Sequence, residues 1–346
     1  MPTIKHTFNA LAREAYASGA RDLHLVPEQH PRYRGPDRTL VTLEDAALSA
    51  EDLDALARMQ FGASGFEQLE RSGVVQRQVR FDLTPDTHHP LRATLTRSAG
   101  GCSLSYRFLL SGGPLDLEAL RVPAAVTPLL EAPTGLVVVA GPHESGKTTT
   151  LHALLGWINA QRAVHLCTVE DPLDLVIEPK QALVQQREVG VDVPDVAAGI
   201  AAAREQDADV IAVAALTSLD SLTATLHAAE TGHLVLTQVH ANSAQEALER
   251  IVEATPETMH ALVRRSLSEC LLGVCWQRLL PRQPRGRVAA YQLLLPDAAL
   301  REAILSGAPL GEGGEGSVQL EGQLAALEAE GLVTAEDAAA ARTASR

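Results

Sequence analysis

Positive charge is scarce in this chain. It carries 29 Lys and Arg against 43 Asp and Glu, a formal net charge of −14 over 346 residues. So acidic a balance speaks against a broad non-specific hold on nucleic acid or on an anionic membrane, since both need a positive surface. No nucleic-acid partner is expected. Long apolar runs are missing as well: there is no run of 18 apolar residues, so direct insertion into a bilayer is not expected and any membrane role must come through a partner. The opening residues, MPTIKHTFNALAREAY, lack the apolar core of a signal peptide, which makes a cytoplasmic place the expectation, at most peripheral at the inner face of the membrane. Cysteine is sparse. Cys102, Cys167, Cys270 and Cys275 are scattered with no C-x-x-C pair, which argues for reduced thiols and against a zinc site or disulfide frame. Aromatic residues make up only 3% while apolar content is 46%, and the alanine and leucine that fill the gap favour helices. The length favours two domains over one core.

One stretch organises the rest. Leu136–Ala140 is an unbroken apolar run of the kind that suits a strand buried on both faces. Gly141-Pro142-His143-Glu144-Ser145-Gly146-Lys147-Thr148 follows at once and fits G-x-x-x-x-G-K-[ST]. Leu151, Leu154, Leu155 and Ile158 then recur at helical spacing. Strand, glycine-flanked loop and helix form a phosphate-binding loop: backbone N–H groups turn inward and the helix N-terminus adds positive potential. Gly141, Ser145, Gly146, Lys147, Thr148 and Thr149 are the nucleotide-binding candidates, and ATP and Mg²⁺ are the expected ligands. Lys147, expected as a surface charge in the protein without nucleotide, would reach the outer phosphates, and the Thr148 hydroxyl would sit on Mg²⁺. Glu144 is an odd member of such a loop. At ~8 Å and an effective dielectric of ~20–40, a carboxylate facing a phosphate costs about 1–2 kcal/mol unless it turns to solvent.

Before the loop, residues 6–18 read as an amphipathic helix ended by Gly19, Asp22–Leu25 as a strand, Pro31–Asp37 as turn-rich, and Ala47–Leu69 as helical. Val74–Phe81, Leu91–Thr96 and Ser103–Leu110 read as strands. This is a small α+β domain over 1–110, with a linker at 111–122 whose best candidate is Ser111-Gly112-Gly113-Pro114. From 123 to 346, buried strands at Leu136–Ala140, Val164–Val169, Val210–Val213 and Leu234–Val239 alternate with helices. That pattern is α/β with a largely parallel sheet, whose ligands gather at the carboxyl ends of its strands. Val169 is followed by Glu170-Asp171-Pro172, two acids suited to a general base or a magnesium site. Leu234–Val239 follows Thr231-Gly232-His233 and ends at His240, placed to sense a phosphate or carry a proton. Val213 is followed by Ala214-Ala215-Leu216-Thr217-Ser218, with no acid, although Asp209 opens that strand. Arg264, Arg265 and Glu269 are expected on a long helix running through Gln277-Arg278-Leu279. Arg278, Arg282, Arg285 and Arg287 form a solvated loop or a partner-facing patch. Gly307–Ser317 is glycine-rich and expected to be flexible, and two short helices close the chain, the second opened by Thr334-Ala335-Glu336-Asp337.

GARDLHL (19–25), GPHESGKTTT (141–150), TVEDPLDL (168–175), QQREV (185–189), AAETGHLVLTQVHANSA (228–244) and SLSECL (266–271) occur in one order along the chain. On these segments the chain resembles the type IV pilus retraction ATPases (PilT-like) of the secretion ATPase superfamily. The four-cysteine zinc element usual in assembly and secretion members is absent. The resemblance implies a PAS-like N-terminal domain and a RecA-like P-loop core. It also implies a hexameric ring, of one or of mixed chains, acting on pilin through an inner-membrane platform protein. By position, Glu170 is similar to the catalytic glutamate of the family's Asp box, and Asp171 belongs to the same box. His233 and His240 match the His box. Arg92 and Arg107 match arginines that the N-terminal domain directs at phosphates, and Arg97 falls near a third.

The departures bear on rate. Where the family reads Gly-Glu-Met-Arg-Asp after the Walker B strand, Ala215 takes the glutamate's place; upstream family arginines fall on Ala201 and Glu205, with Arg204 one position off. The signature helix reads Ala299-Leu300-Arg301-Glu302-Ala303-Ile304-Leu305-Ser306. Phosphoryl transfer depends on positioning and charge compensation, so these losses imply slow hydrolysis unless another group compensates. Two readings stay open: a motor of pilus retraction, and a nucleotide-binding accessory or regulatory subunit that shares a ring with an active paralogue.

Overall fold

The structure, a computed structural model, describes residues 2–35, 39–43, 46–84, 87–98, 100–109, 116–216, 218–284 and 286–343. The linker candidate at 111–114 lies outside the described residues, as do Thr217 and Arg285. The chain divides into two units, Met1–Gly112 with Asp174–Val176, and Gly113–Leu173 with Ile177–Arg346.

In the first unit the elements run α1 (Pro2–Ala17), β1 (Asp22–Leu25), β2 (Arg32–Arg34), β3 (Leu40–Thr42), α2 (Ala50–Ser72), β4 (Val74–Thr84), β5 (Thr87–Ser98) and β6 (Gly101–Phe108). They build a six-stranded sheet in the order β3-β2-β1-β6-β5-β4. The apolar stripe of α1, Phe8, Leu11, Ala12 and Ala15, and that of α2, Leu53, Leu56, Phe61 and Leu69, share one core with alternate residues of β1, β5 and β6. Ser49 starts α2 through a capping box with Asp52, and Gly62 interrupts the helix with φ +65°. The turn-rich reading of 31–37 needs correction at Arg32–Arg34, which is a strand because its backbone bonds to β1 and β3.

The second unit runs α3 (Thr127–Glu131), β7 (Gly135–Gly141), α4 (Lys147–Gln161), β8 (His165–Glu170), β9 (Leu183–Glu188), α5 (Val196–Glu205), β10 (Val210–Val213), α6 (Leu219–Glu230), β11 (Leu234–His240), α7 (Ala244–Glu253), α8 (His260–Cys270), β12 (Leu271–Pro281), β13 (Arg287–Leu294), α9 (Ala298–Ser306), α10 (Leu320–Ala329) and α11 (Ala335–Thr343). Its seven-stranded sheet has the order β13-β12-β7-β11-β10-β8-β9. β7 lies between β11 and β12, parallel to both, and is buried along its whole length. Leu136, Val138 and Ala140 enter the core under α5–α9. Val137 and Val139 enter the opposite core, under α4. Each such side chain contributes roughly 1.5–3 kcal/mol on burial, which is why the run tolerates no polar residue.

One expectation about the C-terminal half is corrected. The helix carrying Arg264, Arg265 and Glu269 ends at Cys270, and Leu271–Pro281 is a strand. Its apolar run suits either state by composition, and pairing with β7 and β13 decides for strand. The Gly307–Ser317 stretch is a loop tied to the end of β13: Gly314 N–H donates to the Leu295 carbonyl at 2.8 Å and Leu295 N–H to Ser317 Oγ at 3.0 Å. The two closing helices are present, and Thr334 Oγ1 accepts the Asp337 N–H at 3.1 Å. α10 and α11 cover β12 and β13 through Leu324, Leu327, Val333 and Ala338.

The junction of α8 and β12 is clamped by Arg301 of α9, whose guanidinium donates to the Ser268 and Leu271 carbonyls. Arg301→Ala should destabilise the second unit by about 2 kcal/mol, the worth of charge-assisted bonds at a half-buried helix end. A lower urea midpoint with an unchanged slope is the expected result.

Candidate functional site

Gly141 ends β7 with φ +152°, and a Cβ there would lie 2.3 Å from the Gln277 carbonyl oxygen of β12. Gln277 Nε2 also donates to the Ser145 carbonyl at 2.7 Å, so β12 holds the loop at two points. Gly146, at φ +87°, turns the chain into α4, whose first N–H groups face the loop. Ser145 Oγ is buried with no hydrogen-bond partner among the described residues. A cradle with no room for a side chain at Gly141, an unsatisfied hydroxyl and a helix N-terminus fit a phosphate-bearing ligand.

Lys147 corrects an expectation. It is buried, with Nζ donating to the Gly141 carbonyl at 3.0 Å and the Pro142 carbonyl at 2.7 Å. Burial lowers its pKa below the usual lysine value. Thr148 and Thr149 are exposed at the start of α4, and Thr148 Oγ1 donates to Gln238 Oε1 of β11 at 3.4 Å. Glu144 is exposed at φ +57°, a left-handed conformation that costs a non-glycine residue roughly 1–2 kcal/mol.

Parallel pairing of β11 with β7 puts His240 opposite Gly141. The His240 ring stacks on that of His143, with centroids 4.3 Å apart and planes at 29°. Burial first, then the charges of Lys147, His143 and Arg250, lower its pKa and favour the neutral ring. His233 stands before the other end of the same strand, where its Nδ1 bonds the Ala228 carbonyl at 3.0 Å. At 3.3 Å per residue it lies about 23 Å from His240, and the structure does not bring it to the loop.

Glu170 ends β8 and is buried. Its Oε1 accepts from Thr168 Oγ1 at 2.6 Å and Gln186 Nε2 at 3.0 Å, and its Oε2 lies 3.2 Å from His152 Nε2 of α4. Asp171 follows in an exposed turn. Val213 is level with Val169 and Thr237, so Ala215 passes the carboxyl end of the sheet with a methyl group only. Asp209 is at the opposite end, its carboxylate accepting the His165 N–H at 2.8 Å. On α5, Arg204 Nε is buried with no hydrogen-bond partner among the described residues.

In the first unit, Arg92 and Arg107 are directly opposite on β5 and β6. Arg92 is buried, and Arg107 donates to Asp22 Oδ1 at 2.9 Å. Sequence reasoning gave no site role to His152, Glu188, Gln238 and Gln277, which are buried, or to Gln186, which is half-buried. Their signal was a polar residue inside an apolar strand or helix.

Two cavities flank the loop. One of about 400 Å³ touches His143, Glu144, Arg278 and Arg287. The other, about 350 Å³, opens beside Thr149 and Thr150 and is walled by Leu279, Ala289 and Tyr291. Relief of the backbone at residue 144 should outweigh the entropy glycine adds to the unfolded chain, about 0.5–1 kcal/mol. Glu144→Gly is therefore expected to hold or raise the melting temperature, and a fall would show that the carboxylate makes a stabilising contact.

Against known proteins, the model of a family described as type II/IV secretion system protein matches residues 75–308. The uncharacterized protein YggR of Escherichia coli (strain K12) is 34% identical over 286 residues, 83% of this chain and 85% of its own. The type IV pilus retraction ATPase PilT of Pseudomonas aeruginosa is 36% identical over 231 residues, 65% of this chain and 67% of its own. A crystal structure of the pilus retraction motor PilT with bound ADP superposes with a TM-score of 0.82 at 32% identity, covering 96% of both chains. That match shows an α+β N-terminal domain and a RecA-like core. The chain belongs to the type II/IV secretion system protein family, as a member of its PilT-like ATPases.

Proposed function

We propose that this chain is an ATP-binding ring subunit of a type IV pilus retraction machine. The observation that carries the reading is the loop itself. Gly141 sits against Gln277, Ser145 Oγ has no partner among the described residues, and Lys147 is held five residues from Pro142 by contacts that a phosphate would replace. Lys147 would exchange two carbonyl oxygens for phosphate oxygens. The cavity beside Thr149 and Tyr291 would take the nucleoside. Mg²⁺, when bound at Thr148, would neutralise charge developing on the phosphates. Thr148 and Gln238 supply neutral oxygens there.

Within this reading Glu170 is the general base and His240, kept neutral, senses the outer phosphate. Asp171 adds negative charge at the same sheet end. Arg92 and Arg107 of the domain at 1–110 face phosphates of a nucleotide, and His233, remote from its own loop, is the weakest of the site candidates. The linker at 111–122 joins that domain to the core at 123–346. Six chains form the ring, which acts through an inner-membrane platform protein. The relatives named as retraction ATPases support this assignment.

Ala215 favours a second reading. With no acid there to hold the water beside the metal, hydrolysis is slow, and the chain serves as an accessory subunit alongside an active paralogue.

Lys147→Ala should remove ATP binding in a calorimetric titration. It should also lower the melting temperature slightly, because two loop carbonyls lose their donor. Unchanged affinity would overturn the phosphate-loop assignment. Ala215→Glu should raise kcat in a steady-state phosphate-release assay by an order of magnitude or more, with Glu144→Gly acting on KM instead. If Ala215→Glu changes nothing in an already active protein, slow hydrolysis and the accessory reading both fall.

A further inference from the structure

Sheet order places β8 three strands from β7, about 14 Å across the sheet, so the backbone alone leaves Glu170 distant from the phosphate loop. One side chain spans this gap. His152, in the second turn of α4, is only 4% exposed and touches both sides. Its Nδ1 is 2.9 Å from the Thr148 carbonyl oxygen, and its Nε2 is 3.2 Å from Glu170 Oε2. A carbonyl oxygen only accepts, so Nδ1 must donate, which fixes which way the ring faces; Nε2 then donates to the Glu170 carboxylate as the second N–H of a ring carrying both protons, which makes the contact an ion pair. Thr168 and Gln186 both act on Oε1. Among the described residues, His152 is thus the hydrogen-bonding group at Oε2.

We propose that His152 is a positioning residue that ties the Glu170 carboxylate to the first turn of α4. The proposal rests on the reading of Glu170 as the catalytic carboxylate. Two donors on Oε1 leave the carboxylate free to swing about that atom, and the imidazole removes the freedom. Since the ring is anchored on the Thr148 backbone, a displacement of the phosphate loop carries the imidazole with it and re-aims Oε2. Glu170 is then oriented by the state of the loop. A misplacement of about 1 Å at a reacting group is worth up to about 100-fold in rate. A role limited to filling space would need neither nitrogen in hydrogen-bond contact.

The two contacts separate by substitution. Gln at residue 152 keeps a donor near the Nε2 position, facing Glu170. Asn keeps a donor near the Nδ1 position, facing Thr148, and falls short of Glu170. Single-turnover hydrolysis of Mg-ATP by the full chain, followed over hours, is compared with calorimetric affinity and melting temperature. His152→Asn should lower the hydrolysis rate by about 10- to 100-fold with affinity within twofold, while His152→Gln restores most of the rate. Equal rates in the two variants, whether both normal or both lowered in step with melting temperature, would overturn the proposal. Glu170→Gln distinguishes the layers. If it hydrolyses at the wild-type rate, or if wild-type protein turns over no ATP, the Glu170 reading fails and the proposal with it. If it is inactive while His152→Asn keeps the wild-type rate, only the role of His152 fails.

Discussion

The burial of β7 between β11 and β12 is the constraint on which the site depends. Seven residues, Gly135–Gly141, present alternate side chains to two cores and bond through their backbone to parallel neighbours on either side. The loop can only begin where that strand runs out. Gln277 then fixes where it begins, since its carbonyl leaves Gly141 no space for a Cβ and its amide holds the Ser145 carbonyl. A slip of one residue in the β12 pairing would move Gln277 to the opposite face and release the loop.

Hydrogen-bonding capacity explains the chemical character of the site. Three polar side chains near the sheet's carboxyl end already have protein partners: Lys147 on two loop carbonyls, Thr148 on Gln238, and Glu170 on Thr168, Gln186 and His152. Burying such groups unpaired would cost about 1–3 kcal/mol each, so the partners stabilise the site in the form described. A ligand that binds here must replace these bonds with better ones. For Lys147, phosphate oxygens in place of neutral carbonyls do so, because both partners are then charged. Glu170 keeps its partners on Thr168, Gln186 and His152, none of which is a loop carbonyl.

The stack of His143 on His240 joins the phosphate loop to the end of β11 by contact between rings. His143 stands next to a glutamate in a left-handed conformation, between the loop's two positive-φ glycines, Gly141 and Gly146. Ala215 lies at the same end of the sheet, where it offers only a methyl group.

The phosphate loop, the four parallel strands after residue 123 and the two helices of the first unit were legible because each rests on local information: an apolar run, a helical period, a glycine at a sharp turn. Glu170 and His240 were legible as polar residues that end apolar strands. The strand Leu271–Pro281 was not, because an apolar segment following a helix continues it equally well until a partner strand claims its backbone. Nor was the burial of Lys147, which needs the carbonyls of Gly141 and Pro142 turned back toward it. His152 and Glu170 are eighteen residues apart and on different elements. Sequence alone determined which residues are apolar, where the chain can turn, and which chemical groups are available. Tertiary structure alone decided which of those groups meet, because strand order and helix packing set distances that residue spacing does not encode.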